Sequence, residues 1–268
     1  MVSSTSRRGA IGLLSAAVAL SGLVLGPAQA DSGQLSLDRA GTLVGWYATG
    51  SQTAQKDGTV PAAYASTAFT QVAAASGTTL AVTAAGKLVG WGTNQEGVWD
   101  STNFPSGLDG HIAQVDATAS LGLALKDDGT VVSWPRNSPT QAAKIPATLT
   151  GVGAISAFDA NNAYALKKDG SVVAWGDNSY GQTDVPEELR LPGSTLQVEA
   201  GSEWAAAVTS DHRIVAWGRD SPDENNLDVP SELTGPDAGV AKVVIDGRTA
   251  LALLQDGSVR AWGAATAA

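Results

Sequence analysis

Only two histidines, His111 and His212, and no cysteine occur among the 268 residues, so imidazole and thiol chemistry have almost no material to work with. A thiol nucleophile, a Cys-ligated metal and a disulfide framework are excluded outright. A Ser-His-Asp arrangement needs a positioning motif, and no G-x-S-x-G elbow accompanies either histidine. His111 precedes the run Ile112-Ala-Gln-Val115. His212 falls in a slot that similar stretches fill with Gly, and since His tolerates positive φ, a turn role is expected for it. Acids cluster at Asp220, Asp223, Glu224 and Asp228, and again at Asp184, Glu187 and Glu188. Neither cluster has the D-x-[DN]-x-[DN]-G calcium spacing, and both flank prolines where charge would solubilise an edge. No G-x-x-x-x-G-K-[ST] loop is present. The expectation is a non-enzymatic chain with no catalytic residue, metal or cofactor. The competing reading is a glycan-binding or hydrolytic protein using the acidic loops, which would require two carboxylates at matched depth. The other residue types of interest are the aromatics Tyr47, Trp99, Tyr180 and Trp204. They stand outside the regular pattern described next, and Trp and Tyr are the usual anchors of protein interfaces.

That pattern is an internal repeat. Six similar stretches end in Trp46, Trp91, Trp134, Trp175, Trp217 and Trp262, at steps of 45, 43, 41, 42 and 45 residues. Five residues before each Trp stands Gly41, Gly86, Gly129, Gly170, His212 or Gly257. Nine before it stands Leu37, Val82, Leu125, Leu166, Val208 or Leu253. Further upstream, Val72, Val115, Ile155, Val198 and Val243 each open a short apolar run, and an apolar-Pro pair follows five of the Trps, as in Val185-Pro186.

These offsets translate into strands. Tyr164-Ala-Leu166, the turn Lys-Lys-Asp169-Gly170 and the stretch Ser171 to Trp175 read as a hairpin, with Asp-Gly suited to a primed turn. Alternation places Val173 and Trp175 on one face and Val172 and Ala174 on the other, so both faces need cover. The apolar-Pro pair suits an outer edge strand, because Pro cannot donate to a ladder. Each unit is thus about four short strands without helical periodicity. Units with two apolar faces must stack, and radial stacking of small twisted sheets gives a propeller. The fold class is all-β, a β-propeller of six blades of about four antiparallel strands, with a seven-bladed or incompletely closed ring as the alternatives. The repeat Trps at 46, 91, 134, 175, 217 and 262 are expected to pack between blades, each burying a large apolar area.

Residues 1–30 look like a secretory signal peptide: Arg7-Arg8, an apolar run from Ala10 to Leu25, a Gly26-Pro27 break and the cleavage pattern Ala28-Gln29-Ala30. Residues 31–268 then form the propeller. Removal of the leader takes two Arg and no acid, moving the net charge from −10 to −12. So acidic a chain is repelled by phosphate backbones and anionic lipid, so no nucleic-acid or membrane partner is expected. The expected location is extracellular.

The stretch ALKKDGSVVAWGDNSYGQTDVPEEL, residues 165–189, resembles the repeat of the regulator-of-chromosome-condensation propeller superfamily. It is most similar to the bacterial secreted branch that includes β-lactamase inhibitory proteins, and the resemblance runs over residues 35–263. It implies an antiparallel propeller whose innermost strand precedes the Leu-Ala-Leu strand, and binding through loops at one end of the ring. Of the aromatic placements in that branch, Tyr180 matches one. The inner-turn positions are here Gly77, Ser120, Asn161, Glu203 and Arg248, none aromatic. The resemblance therefore implies an inhibitor-like, protein-binding module whose partner is another protein, a β-lactamase-like enzyme fitting less well. A truncated copy without function is the remaining alternative. The nuclear branch, with its exchange activity and chromatin binding, is opposed by the leader and the acidic charge.

Overall fold

Short apolar runs separated by Gly-bearing turns form five three-stranded antiparallel sheets among the described residues. The structure, a computed structural model, describes residues 60–75, 78–92, 104–105, 108, 110–118, 121–135, 144–158, 162–220 and 225–263. The sheets are β1 (Phe69–Ala75), β2 (Thr78–Thr83) and β3 (Leu88–Gly92); β4 (Ile112–Ala117), β5 (Leu121–Lys126) and β6 (Val131–Pro135); β7 (Val152–Phe158), β8 (Asn162–Lys167) and β9 (Val172–Gly176); β10 (Thr195–Ala200), β11 (Trp204–Thr209) and β12 (Ile214–Gly218); β13 (Val240–Asp246), β14 (Thr249–Leu254) and β15 (Val259–Gly263). We number the sheets 1 to 5 in this order. The Trp46 repeat and residues 1–30 lie outside the described residues.

The first strands of successive sheets lie against one another, β1 on β4, β4 on β7, β7 on β10 and β10 on β13. They are therefore the inner strands, and each sheet runs outward from them through its second and third strands. All five inner strands carry a register shift at the same place, for example between Thr195 and Gln197. A bulge there bends the strand and sharpens its twist.

Two sequence expectations need correction. Each described sheet has three strands, not about four. The apolar-Pro stretch, expected as an outer edge strand, instead leads into a tight 3-10 bend. Pro61, Pro186 and Pro230 cap the 3-10 turns Ala62–Tyr64, Glu187–Arg190 and Ser231–Leu233. Their fixed φ suits the entry to such a turn, and their missing N–H is of no cost there. The carbonyl of each Pro accepts a hydrogen bond from the third residue on: Tyr64, Leu189 and Leu233, and likewise Leu149 after Pro146. This residue points inward as a plug, with Leu189 and Leu233 wholly buried and Leu108, three residues after Pro105, nearly so.

The second correction concerns the Asp-Gly turns, which are not the primed type. Gly170 has φ 83° while Asp169 keeps negative φ, and Gly170 N–H bonds the Lys167 carbonyl at 2.8 Å. This is a type I turn closed by a left-handed residue, the three-residue hairpin loop. Asp128, Asp169 and Asp256 favour it by accepting the N–H of Thr130, Ser171 and Ser258 at 2.8–3.0 Å. His212 occupies the left-handed slot in sheet 4 with φ 62°, the role expected for it. Its carbonyl accepts the N–H of Val240 at 2.8 Å and its Nδ1 lies 3.0 Å from the Val240 oxygen, tying this hairpin to the next inner strand.

The core is a series of junctions between sheets. Trp134 packs with Leu80, Val82 and Leu88 of the preceding sheet, and Trp175 with Leu123, Leu125 and Val131. Trp217 packs with Tyr164, Leu166 and Val172, and Trp262 with Ala206, Val208 and Ile214. These four indoles are between 3% and 7% exposed. Trp91 is half-buried beside Tyr64 and Phe69. Along the inner strands the junctions are polar. The Gln114 amide holds both N–H and C=O of Ile155 at 2.7 Å, and the Gln197 amide holds those of Val243 at 2.9 and 2.8 Å. Two positions on, Asp116 accepts the Ala157 N–H at 2.8 Å and the Ser156 hydroxyl accepts the Ala200 N–H at 3.0 Å.

Candidate protein interface

The inner turns, such as that between β10 and β11, and the connections that follow the third strands emerge at the same end of the sheets. Gly176 to Val185 is the connection best defined by its own hydrogen bonds. Asp177 accepts the Ser179 N–H and hydroxyl, and Asn178 accepts the Thr183 N–H while its amide donates to Asp184. Gln182 is 1% exposed; its Oε1 accepts the Tyr180 N–H at 2.9 Å and its Nε2 reaches Asp177 at 3.2 Å. These bonds pin the backbone of Tyr180 while 47% of the residue stays exposed.

The Tyr180 ring does not stand alone. The Arg219 guanidinium lies 4.7 Å from its centroid, a cation–π contact. Arg219 also forms an ion pair with Glu203, and its N–H bonds the Glu203 carbonyl at 2.8 Å. Glu203 has φ 65°, a conformation held by this turn rather than by its own preference. Arg219 and Glu203 side chains are each about one-third exposed. The result is an aromatic, a cation and an anion from two neighbouring sheets, side by side at one end of the molecule. Their backbones are fixed by hydrogen bonds, which lowers the entropy lost when a partner docks.

Trp204 is no part of that surface, and its candidacy as an anchor does not hold. It is the first residue of β11, wholly buried, with Nε1 donating to the Gly247 carbonyl at 2.8 Å. Gly201 makes this possible: a Cβ there would lie 2.4 Å from the Trp204 Nε1. The indole folds back over the turn and fills the junction between sheets 4 and 5. Trp99 and Tyr47 lie outside the described residues. His111, with φ 62° and 87% of its side chain exposed, stands 3.5 Å from Asp127 at the opposite end. Asp220 and Asp228 are exposed, while Asp223 and Glu224 lie outside the described residues.

Arg219 and Glu203 were the residues not singled out as binding candidates from sequence. Glu203 sits at the inner-turn position where aromatics were sought, and Arg219 directly follows the Trp217-Gly218 end of its repeat. Neither position stands out in the sequence, since Arg136 and Asp177 fill the place of Arg219 in other repeats and Arg248 that of Glu203.

Two further carboxylates lie on inner strands. Burial raises Asp116 from the ordinary carboxylate range to about 7, against the pull of the Ala157 and Ala117 N–H groups, with the Glu199 charge adding a little. Burial likewise raises Glu199, opposed by the Gln197 amide, Lys242 and Ser156. Both are engaged in joining strands, Asp116 to Ala157 and Glu199 to Ser156 at 3.3 Å.

Comparison with known proteins fits this geometry. A family model described as the regulator of chromosome condensation (RCC1) repeat matches residues 160–182, the third-sheet hairpin and the Tyr180 connection. No curated protein matches the sequence. Among solved structures, human WBSCR16 superposes with a TM-score of 0.55 at 19% identity, covering 77% of this chain and 64% of that one. Yeast RCC1 (Prp20), in a structure with Kap60, gives 0.55 at 20% identity, covering 73% and 56%. The ectodomain of the Physcomitrella patens receptor kinase CR4 gives 0.55 at 18%, covering 72% and 52%. The fold is a β-propeller like those of these structures. At these identities the likeness is one of fold. The chain spans only 52–64% of the length of these structures.

Proposed function

We propose that this chain is a secreted, non-enzymatic propeller of six repeats that binds another protein through the end carrying Tyr180, Arg219 and Glu203. The observation that carries the reading is Tyr180: a large aromatic held exposed on a hydrogen-bonded loop, with a guanidinium on its face and a carboxylate beyond. Aromatics and Arg are the residue types that dominate binding hot spots. Yeast RCC1 was solved bound to Kap60, and Prp20p from Saccharomyces cerevisiae has been described with its binding to Gsp1p and histones. These cases support a protein-binding use of the fold. Export rests on residues 1–30, and a nucleic-acid partner is disfavoured by the acidic charge. The glycan and hydrolytic reading gains nothing from Asp220 or Asp228, both of which are exposed.

The test is binding of the processed protein to a panel of secreted enzymes, β-lactamases included, measured against the Tyr180→Ala and Arg219→Ala variants. A sub-micromolar partner lost with both variants supports the reading. Binding indifferent to both substitutions, or turnover of a polysaccharide by the wild-type protein, overturns it.

A further inference from the structure

Each described sheet ends in an outer strand whose free edge is treated in its own way. In sheet 3 that strand is β9, whose five residues include neither a charge nor a proline. By contrast β6 ends in Pro135 and β15 carries Arg260, two of the usual devices against pairing with another chain. The bond from the Lys167 N–H to the Ser171 carbonyl fixes the register of β9 on β8, where Ala165 faces Val173 and Ala163 faces Trp175. Bonded and non-bonded pairs alternate in an antiparallel ladder, so Val172 and Ala174 turn their N–H and C=O groups outward. Among the described residues no hydrogen bond takes up these outward groups.

The same edge lines a cleft. The connection after β9 turns away at Pro186 and leaves a volume of about 410 Å³, lined by residues 172–174, by Thr183, Val185 and Arg190, and by Lys167 near the turn. Two cations and no acid line it. The Arg190 Nε donates to the Val185 carbonyl at 2.7 Å, and no carboxylate pairs with its guanidinium among the described residues. Lys167 pairs with Asp169 at 2.9 Å, an exposed contact of little worth that a partner's carboxylate can share. The charge sets this sheet apart. Directly after the apolar plug the sequence has Arg190 here, but Asp109, Thr150 and Thr234 in the connections that follow sheets 1, 2 and 4. Beside β12 the cation Arg213 is already held by Glu188 and Asp211.

We propose that sheet 3 accepts a fourth strand from a partner: an extended, acidic peptide segment that pairs along β9 and sets a carboxylate against Arg190 and Lys167. Main-chain bonds to Val172 and Ala174 supply the hold, and the two cations select for an acidic sequence. The site shares no residue with the Tyr180, Arg219 and Glu203 cluster and does not depend on what docks there.

Random peptides displayed on phage are selected on the full chain, with the Arg190→Glu chain as counter-target, and the enriched peptides are then synthesised. The expected peptides carry Asp or Glu and bind the wild-type chain at least about tenfold more tightly than Arg190→Glu. Their affinity should fall by about as much when one alternate set of their amides is N-methylated, an arm that needs no protein variant. Amide exchange at Val172 and Ala174 should be fast in the free chain and slow with peptide bound. Selection on Tyr180→Ala should return the same peptides. No enrichment, peptides without acids, or binding indifferent to Arg190→Glu or to N-methylation overturns the proposal. So do Val172 and Ala174 amides protected without peptide, whether at every protein concentration or only at high concentration, the latter assigning the edge to a second copy. Loss of the peptides with Tyr180→Ala moves them to the other surface and refutes the site at β9.

Discussion

The indole N–H of Trp217 donates to the backbone carbonyl of Gln182 at 3.0 Å, joining sheet 4 to the connection that leaves sheet 3. The Tyr164 hydroxyl donates to the same oxygen at 2.7 Å, and the two rings meet edge to face with centroids 5.8 Å apart. Trp262 repeats the bond one junction later, to the Asn226 carbonyl at 3.0 Å. The repeat Trp is therefore more than a filler of apolar space. It also fixes the loop that presents Tyr180, and core packing and the candidate interface are linked through one carbonyl.

Trp217→Phe keeps most of the ring contact and loses the hydrogen bond, so it should cost about 1–2 kcal/mol in urea unfolding. Trp217→Ala empties the junction and should cost about 3–5 kcal/mol. Equal costs for the two would mean that the bond, and not the packing, dominates.

Tyr180→Ala should leave stability within about 0.5 kcal/mol of wild type, because the ring is half exposed and its anchoring bonds come from the backbone. Affinity for a protein partner should fall about tenfold or more. Calorimetric titration beside a thermal melt separates the two effects.

Gly201→Ala drives a methyl into the Trp204 indole and should destabilise by about 1–3 kcal/mol. Adding Trp204→Leu should recover part of that loss by vacating the contact. A double variant as unstable as the sum of the single ones would show that the indole and Gly201 are not coupled.

Asp116 makes stability depend on pH in a set direction. Its raised value means that the native state holds the proton more tightly than the unfolded chain, so its contribution is complete below about pH 4 and is lost as pH rises through about 7. The thermal midpoint should fall between about pH 4 and 7, and fall less in Asp116→Asn, with Glu199 supplying a remainder of the same sign. An unchanged slope in that variant would remove Asp116 as the source.

Much of this fold was legible because the repeat demands it. The spacing of Trp, Gly and Leu placed the hairpin of the second and third strands, the upstream Val or Ile placed the first, and the φ of His212 follows from its Gly slot. The Pro motif was misread because a proline serves an edge strand and a 3-10 cap equally well. The deciding feature was the apolar plug three residues later, as in Pro186 to Leu189. Trp204 was misread because its fate depends on Gly201, whose lack of a side chain opens the space the indole fills. The Arg219–Glu203 pair joins an inner turn to a connection sixteen residues away, a contact set by sheet geometry and not by any local pattern.

The amides of Gln114 and Gln197 each grip one residue of the neighbouring inner strand, holding it by both its N–H and its C=O. Adjacent units are thus aligned in height by a side chain rather than by a continuous backbone ladder. Such a joint asks little of the residue it grips, since Ile155 and Val243 offer only main-chain atoms. A unit can accordingly be duplicated, deleted or exchanged without redesigning its neighbours, and the loops at the end of the molecule are free to diverge while the scaffold stays in step.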